Sequence, residues 1–362
     1  MPDELKKGSM LRIRSGVEQP PGVNPEVLKK SGSGRRKLLS AGEYISGILS
    51  GNRTVLARAI TLVESSNPNH YDLAQEVIEG CLKHSGNSVR IGITGIPGAG
   101  KSTFIEAFGT MLTGMGKKVA VLAIDPSSRK TRGSILGDKT RMERLSNDPN
   151  AFIRPSPSAG TLGGVARKTK ESIILCEAAG FNTILVETVG VGQSETAVSS
   201  MVDLFILLIV AGAGDELQGM KRGIMEMADI VIVNKADGDN RQRAELTANE
   251  FRNAIHLFPL PESGFSPVVI TCSSKEGTGI QEIWKTVNEY LAHVKATGYF
   301  EKNRREQSVR RMHDFILDYL ENSFYSNPEV KACLNKVEEM LRRDEITSYK
   351  AAYILLNKFL NR

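Results

Sequence analysis

The stretch "GITGIPGAGKSTF", Gly92 to Phe104, decides the fold. A β-branched run, "VRIGIT", stands before its glycine-rich turn and the helical "TFIEAFGTML" follows it. Between them Gly95, Ile96, Pro97, Gly98, Ala99, Gly100, Lys101 and Ser102 fit G-x-x-x-x-G-K-[ST], with Thr103 next in line. That order of strand, turn and helix is what gives the motif its meaning, since a chance Lys-Ser after glycines would lack it. The glycines let successive main-chain N–H groups face inward as an anion nest at a helix N-terminus. Lys101 adds a point charge at the outer phosphates, and the Ser102 hydroxyl can serve Mg²⁺.

Working outward, short apolar runs alternate with helical stretches from Ser88 to about Val294. The expected strands are "VRIGIT", "KVAVLAI", "AFIRP", "TILVET", "LFILLIV", "IVIVN" and "PVVIT". Near-continuous apolar strands separated by helices imply a parallel sheet covered on both faces. The fold class expected is therefore α/β, a P-loop NTPase with a mostly parallel central sheet flanked by helices. Two amphipathic helices should precede it, with Leu56, Ile60 and Val63 on one face and Leu73, Val77 and Cys81 on another. After Gly298 the chain turns charged and helical, with Phe315, Leu317, Leu320 and Phe324 at helical spacing. The expected organisation is a basic extension over 1–40, a helical segment over 41–86, the nucleotide-binding domain over 87–298 and a helical arm over 299–362.

Magnesium beside a phosphate chain needs carboxylates, directly or through water. Asp125 closes "VAVLAIDPSS", Asp138 lies in "RGSILGDKTR", and Glu187 closes "TILVETVG". Glu187 followed by Gly190 stands where many GTPases have D-x-x-G, the acid organising Mg²⁺ and the glycine amide sensing the γ-phosphate. Singly, each acid reads as easily as a cap or surface residue. At strand ends of one sheet, Asp125 and Glu187 point to the metal, and Asp138 is a further candidate. Lys101, Asp125, Glu187 and Gly190 are thus the expected catalytic group, and Ser102, Asp125, Asp138 and Glu187 the expected metal set.

"VIVNKADG" speaks to the base. Asn234, Lys235 and Asp237 fit N-K-x-D at the end of an apolar strand. A carboxylate there accepts from guanine N1–H and the exocyclic amine, a pair that adenine cannot offer. Ser273, Ser274 and Lys275, in "TCSSKEG" after the next strand, resemble the loop that backs the guanine carbonyl with main-chain N–H groups. The nucleotide expected is GTP. Where many small GTPases place a water-orienting Gln after the switch glycine, this chain has Val191, with Gln193 two positions on. Slow intrinsic hydrolysis, quickened by a partner, is the expectation.

The chain has 362 residues, 40% hydrophobic and 24% charged, enough for a substantial core. Of its net charge of +6, nine basic against four acidic residues within 1–40 account for +5. A solvated extension explains that tail, although nucleic acid would also suit it. Cys81, Cys176, Cys272 and Cys333 form no C-x-x-C pair and read as reduced thiols. The longest apolar run, "LFILLIVAGAG", is short for a membrane span, and "MPDELKKGSM" lacks the apolar core of a signal peptide. A cytoplasmic protein is expected.

With "GIPGAGKST", "AIDPSS", "ETVGVGQSE", "AGAGDELQGMKRGIMEMADI" and "NKAD" in this order, the chain closely resembles the methylmalonyl-CoA mutase-associated GTPases, the MeaB-type chaperones once described as arginine/ornithine transport ATPases. The resemblance runs from about Ala41 to the C-terminus. It implies a homodimeric G protein, joined through its C-terminal arm. Its partner would be an adenosylcobalamin-dependent acyl-CoA mutase, whose cofactor loading it gates and which it protects from inactivation. It also implies that Asp215, Gln218 and Lys221 form a third switch loop that senses the partner. Ser274 departs from the Ala more usual in the family. The cobalamin-ligating D-x-H-x-x-G pattern is not found in this sequence, so cobalamin is expected on the partner.

Rival classes share parts of this pattern. A nickel-enzyme maturation GTPase has the same sheet but usually a His-rich tract, whereas His70, His84, His256, His293 and His313 are scattered. A transport-linked kinase would use ATP, against which Asn234 to Asp237 argue. An RNA-binding GTPase rests on the basic tail alone.

Overall fold

Seven β-branched runs that cannot be solvated on either face build one sheet, as a computed structural model of the chain shows. The structure describes residues 38–65, 67–125, 142–157, 162–188, 194–211 and 222–360. The strands are β1 (Val89–Gly95), β2 (Val119–Asp125), β3 (Ala151–Pro157), β4 (Thr183–Thr188), β5 (Leu204–Val210), β6 (Ile230–Asn234) and β7 (Val268–Thr271). All neighbours pair in parallel, in the order β3-β2-β4-β1-β5-β6-β7. β4, β5 and β6 are buried almost throughout, as a sheet covered on both faces requires.

The helices in chain order are α1 (Ala41–Leu49), α2 (Arg53–Glu64), α3 (Tyr71–Leu82), α4 (Lys101–Gly114), α5 (Glu143–Asn147), α6 (Leu162–Ala178) and α7 (Ser194–Ser199). There follow α8 (Arg222–Glu226), α9 (Arg241–Ile255), α10 (Ile280–Ala296), α11 (Tyr299–Ser326), α12 (Pro328–Arg342) and α13 (Ser348–Phe359). On one face, Phe104, Phe108 and Leu112 of α4 and Ile283 and Val287 of α10 join Ile91, Ile93, Leu185 and Ile206 in the main core. On the other, Gly92 leaves room for Phe205, Val198 and Val202, and a Cβ there would meet the Phe205 ring at 2.7 Å. Asn52 starts α2 by accepting from the Thr54 and Val55 N–H groups. Leu56, Ile60 and Val63 then lie buried along one face, as their spacing predicts. α1 is an element that the periodicity did not single out. Its Tyr44 and Ile48 are almost wholly buried.

The strand order sets the position of any ligand. From β1 the chain runs outward on one side to β2 and β3, returns through β4, and passes to β5, β6 and β7 on the other. The reversal falls at β1 with β4 and β5 on its flanks, and ligands of such sheets sit beyond the carboxyl ends of the strands at that point. Gly95, Glu187 and Asn234 all fall at carboxyl ends of strands. No helix among the described residues is long and apolar enough to cross a membrane.

Candidate functional site

The phosphate loop leaves β1 at Gly95, where φ is +155° and a Cβ would stand 2.2 Å from the Leu208 carbonyl oxygen of β5. No other residue fits that crossing without moving a strand. Gly100, at φ +85°, delivers the chain into α4, so that Lys101, Ser102 and Thr103 form the helix's first turn. Lys101 Nζ donates to the carbonyls of Gly95 at 2.7 Å and Ile96 at 3.2 Å, arching over the loop. Burial lowers its pKa, against the opposing pull of Glu187 and Glu195. An ammonium so placed is short of solvent and suited to an anion.

Ser102 Oγ donates to Glu187 Oε1 at 3.3 Å, and Glu187 is buried at the end of β4. Asp125 ends β2, whose Ala123 pairs with Glu187 and whose Ile124 pairs with Thr188. A hydroxyl and a carboxylate meeting beside an anion nest fit a hard, oxygen-seeking cation. Ser102 and Glu187 would hold Mg²⁺ here. The ion would neutralise charge on the outer phosphate oxygens.

Beneath these groups Thr188 donates its hydroxyl to Thr94 Oγ1 at 2.8 Å, both almost fully buried. This ties the root of the phosphate loop to the root of the segment bearing Gly190. The sequence reading passed over this pair, and over Glu195, which is fully buried within electrostatic reach of Lys101. "ETVGVGQSE" contains both Thr188 and Glu195. Nothing in that pattern says which of its polar residues face inward.

The base end is built from two loops. Lys235 takes a positive φ of 62°, and its carbonyl accepts from Asn240 Nδ2 at 2.8 Å, which supports the turn. Its exposed side chain passes Gly100, where a Cβ would lie 3.9 Å from Lys235 Cε. Asp237 Oδ2 accepts from Ser273 Oγ at 2.6 Å. Ser273 Oγ also accepts from the Glu276 N–H at 3.1 Å, and Ser273 pairs with Thr278 to close the loop. Asn234 joins the two ends of the site, for its Nδ2 donates to the Ala99 carbonyl at 2.8 Å. Its Oδ1 accepts from Ser274 N at 3.1 Å and Ser274 Oγ at 2.8 Å. Lys275 is exposed at the loop tip.

The structure thus brings together Gly95 to Thr103, Glu187, Asn234, Asp237, Ser273 and Ser274. Asp138, Gly190, Val191, Gln193, Asp215, Gln218 and Lys221 lie outside the described residues, as does the Asp125 side chain.

Comparisons with known proteins find relatives over most of the chain. The family described as methylmalonyl Co-A mutase-associated GTPase MeaB matches residues 56–329. A probable GTPase of Mycobacterium tuberculosis (strain ATCC 25618 / H37Rv) is 50% identical over 311 residues, covering 86% of this chain and 93% of its own. The GTPase ArgK of Escherichia coli (strain K12) is 46% identical over 287 residues, 79% of this chain and 87% of that one. The mitochondrial methylmalonic aciduria type A homolog of Mus musculus is 44% identical over 327 residues, 88% of this chain and 79% of that one. Among solved structures, an LAO/AO transport system kinase superposes with a TM-score of 0.70 at 35% identity, covering 90% of this chain and all of its own.

Proposed function

The chain belongs to the methylmalonyl Co-A mutase-associated GTPase (MeaB) family, and from that premise we propose that it is a GTP-hydrolysing G-protein chaperone of an adenosylcobalamin-dependent acyl-CoA mutase. One observation carries the nucleotide half of this reading. Asn234 hydrogen-bonds both the phosphate loop, through Ala99, and the base loop, through Ser274, so one ligand spans both ends of a single site. Gly95 to Thr103 hold the phosphates, and Asp237, oriented by Ser273, reads the guanine. Lys101 neutralises the outer phosphate, while Ser102, Asp125, Asp138 and Glu187 serve Mg²⁺.

The partner half rests on the family, whose description names the mutase, and on a mitochondrial relative named for methylmalonic aciduria. The chain gates loading of the mutase's cofactor and protects or reactivates the mutase, methylmalonyl-CoA mutase above all. Asp215, Gln218 and Lys221 transmit the partner's presence to the nucleotide. The C-terminal helices join two copies. A transport-linked kinase, as the superposed LAO/AO protein is described, is the second reading. Against it, the Asn234–Asp237 loop favours guanine over the adenine that such a kinase would need.

The test is hydrolysis of GTP by the purified chain, alone and with methylmalonyl-CoA mutase. Slow turnover that the mutase accelerates supports the proposal; partner-supplied groups give GTPases in general ~10³–10⁵, and a partner that reorders a loop of this chain should give less. Ala replacement of Asp215, Gln218 or Lys221 should reduce the acceleration. Equal competition by ATP would remove the guanine assignment, and an unchanged rate with every adenosylcobalamin-dependent acyl-CoA mutase would remove the partner.

A further inference from the structure

Asn234 Oδ1 is held by two donors from one residue. The amide ends β6, is almost wholly buried, and lies so close to the phosphate loop that a Cβ on Gly100 would be 2.9 Å from its Nδ2. Its nitrogen is committed to the Ala99 carbonyl, so its oxygen faces the base loop. There the Ser274 hydroxyl donates at 2.8 Å and the Ser274 main-chain N–H at 3.1 Å, and Ser274 is itself buried. A carbonyl oxygen can accept both, having two lone pairs.

The two donors differ in what else they can do. The N–H belongs to a loop beyond the carboxyl end of β7, beside Asp237, where the guanine reading puts the edge of the base. An N–H serving a ligand carbonyl must loosen from Asn234. The shorter hydroxyl contact then keeps the buried Oδ1 satisfied. With a side chain lacking that hydroxyl, one N–H is contested between Asn234 and the ligand, and whichever acceptor loses is left unpaired.

We propose that Ser274 is a positioning residue for the base: its hydroxyl holds Asn234 Oδ1 and thereby gives its own N–H to the purine 6-carbonyl. This rests on the guanine reading above. The hydroxyl also fixes the amide orientation that keeps Nδ2 on the phosphate loop, so the base contact and the loop are set by one side chain.

The experiment is a cycle measured by titration calorimetry with GDP and 6-thio-GDP, whose sulfur is a poor acceptor, on the full chain and its Ser274→Ala variant. GDP should bind the variant roughly 3–10-fold more weakly, the loss of one buried hydrogen bond. The discrimination between oxygen and sulfur should shrink in the variant, because its N–H stays partly on Asn234. The two changes are then non-additive. Equal weakening for both nucleotides would make the hydroxyl a structural prop only and overturn the proposal, as would unchanged GDP affinity. Ser274→Cys, which keeps the volume with a weak donor, should fall between the two and carries the cycle if the Ala variant does not fold. ATP and GDP binding the unsubstituted chain equally well would sink the guanine reading itself, an outcome seen before any substitution is made.

Discussion

In the proposed function Asp237 reads the base with a carboxylate that Ser273 already orients, at 2.6 Å. Asp237→Asn replaces a charged two-point acceptor by an amide that offers one acceptor and one donor. GTP affinity should fall by roughly 2–4 kcal/mol, and xanthosine nucleotides, whose C2 oxygen accepts from the new amide, should gain relative to GTP. Competition binding with both nucleotides checks this, and equal loss for the two would show that Asp237 does not face the base. The thiols give a second expectation at this scale. Burial pushes Cys81 up to about 11 and Cys272 up to about 12, and raises Cys176 further. Cys333 is half-exposed. A thiol reagent applied to the native chain should modify Cys333 promptly and the other three on unfolding, which a timed titration in and out of denaturant reads.

Elements of this fold are joined at the sheet's amino end by buried charge rather than by apolar contact alone. Arg304 of α11 donates to both oxygens of Asp203, before β5, at 2.7 Å, to the Ser88 carbonyl at 2.6 Å and to the Gly86 carbonyl. Arg90 of β1 pairs with Glu177 of α6 at 2.8 Å. Burial would raise the Glu177 carboxyl, but Arg90, Ser88 and the Gly86 N–H together bring it below the usual range. Asp229, before β6, has no such cation beside it among the described residues. Burial pushes it up to about 7, against the Phe205 N–H and the Tyr290 hydroxyl. The folded chain therefore keeps a proton between about pH 4 and pH 7 that the unfolded chain releases. Stability is full below the unfolded value and declines as pH rises through that window. Asp229→Asn keeps an acceptor for Phe205 and cannot ionise. It should gain on the order of 2 kcal/mol at about pH 8 and distinctly less at about pH 5, in urea unfolding at each. Equal gains at both would place the effect outside this carboxyl.

At the scale of the whole molecule, the C-terminal helices expose more large apolar side chains than they bury. α12 buries Val330 and Val337, and α13 buries Ala351. Leu317 and Leu320 of α11, with Tyr349 and Tyr353 of α13, stand between 51% and 80% exposed. Phe324 packs edge-on against Phe359, so α11 and α13 are held together while these neighbours face outward. Exposed apolar residues on packed helices are the feature that a second copy would cover. Leu317→Asp with Leu320→Asp should convert the proposed dimer to a monomer in sedimentation while leaving GDP affinity nearly unchanged, because both lie on α11 rather than in the nucleotide loops. A wild-type chain that sediments as a monomer at every concentration would refute the dimer.

The sheet was legible in the sequence almost residue for residue. "TILVET", "LFILLIV" and "IVIVN" are β4, β5 and β6 with the same ends, because a strand buried on both faces must be apolar throughout and must stop where polar chemistry begins. The phosphate loop and the Asn234–Asp237 loop were legible for a related reason. Each needs particular residue types at fixed local spacing beside a strand end. What the sequence could not order was everything that depends on strands distant in the chain becoming neighbours. Thr94 and Thr188 meet because β1 pairs with β4, and Asn234 reaches Ala99 only across β5. Leu317 and Leu320 share the helical period of core residues yet lie outside, since periodicity gives a face and not what covers it. Local spacing determined the chemistry of this protein. Sheet order decided which residues would carry it together, because hydrogen bonds between side chains require proximity in space, and only the packed strands supply it.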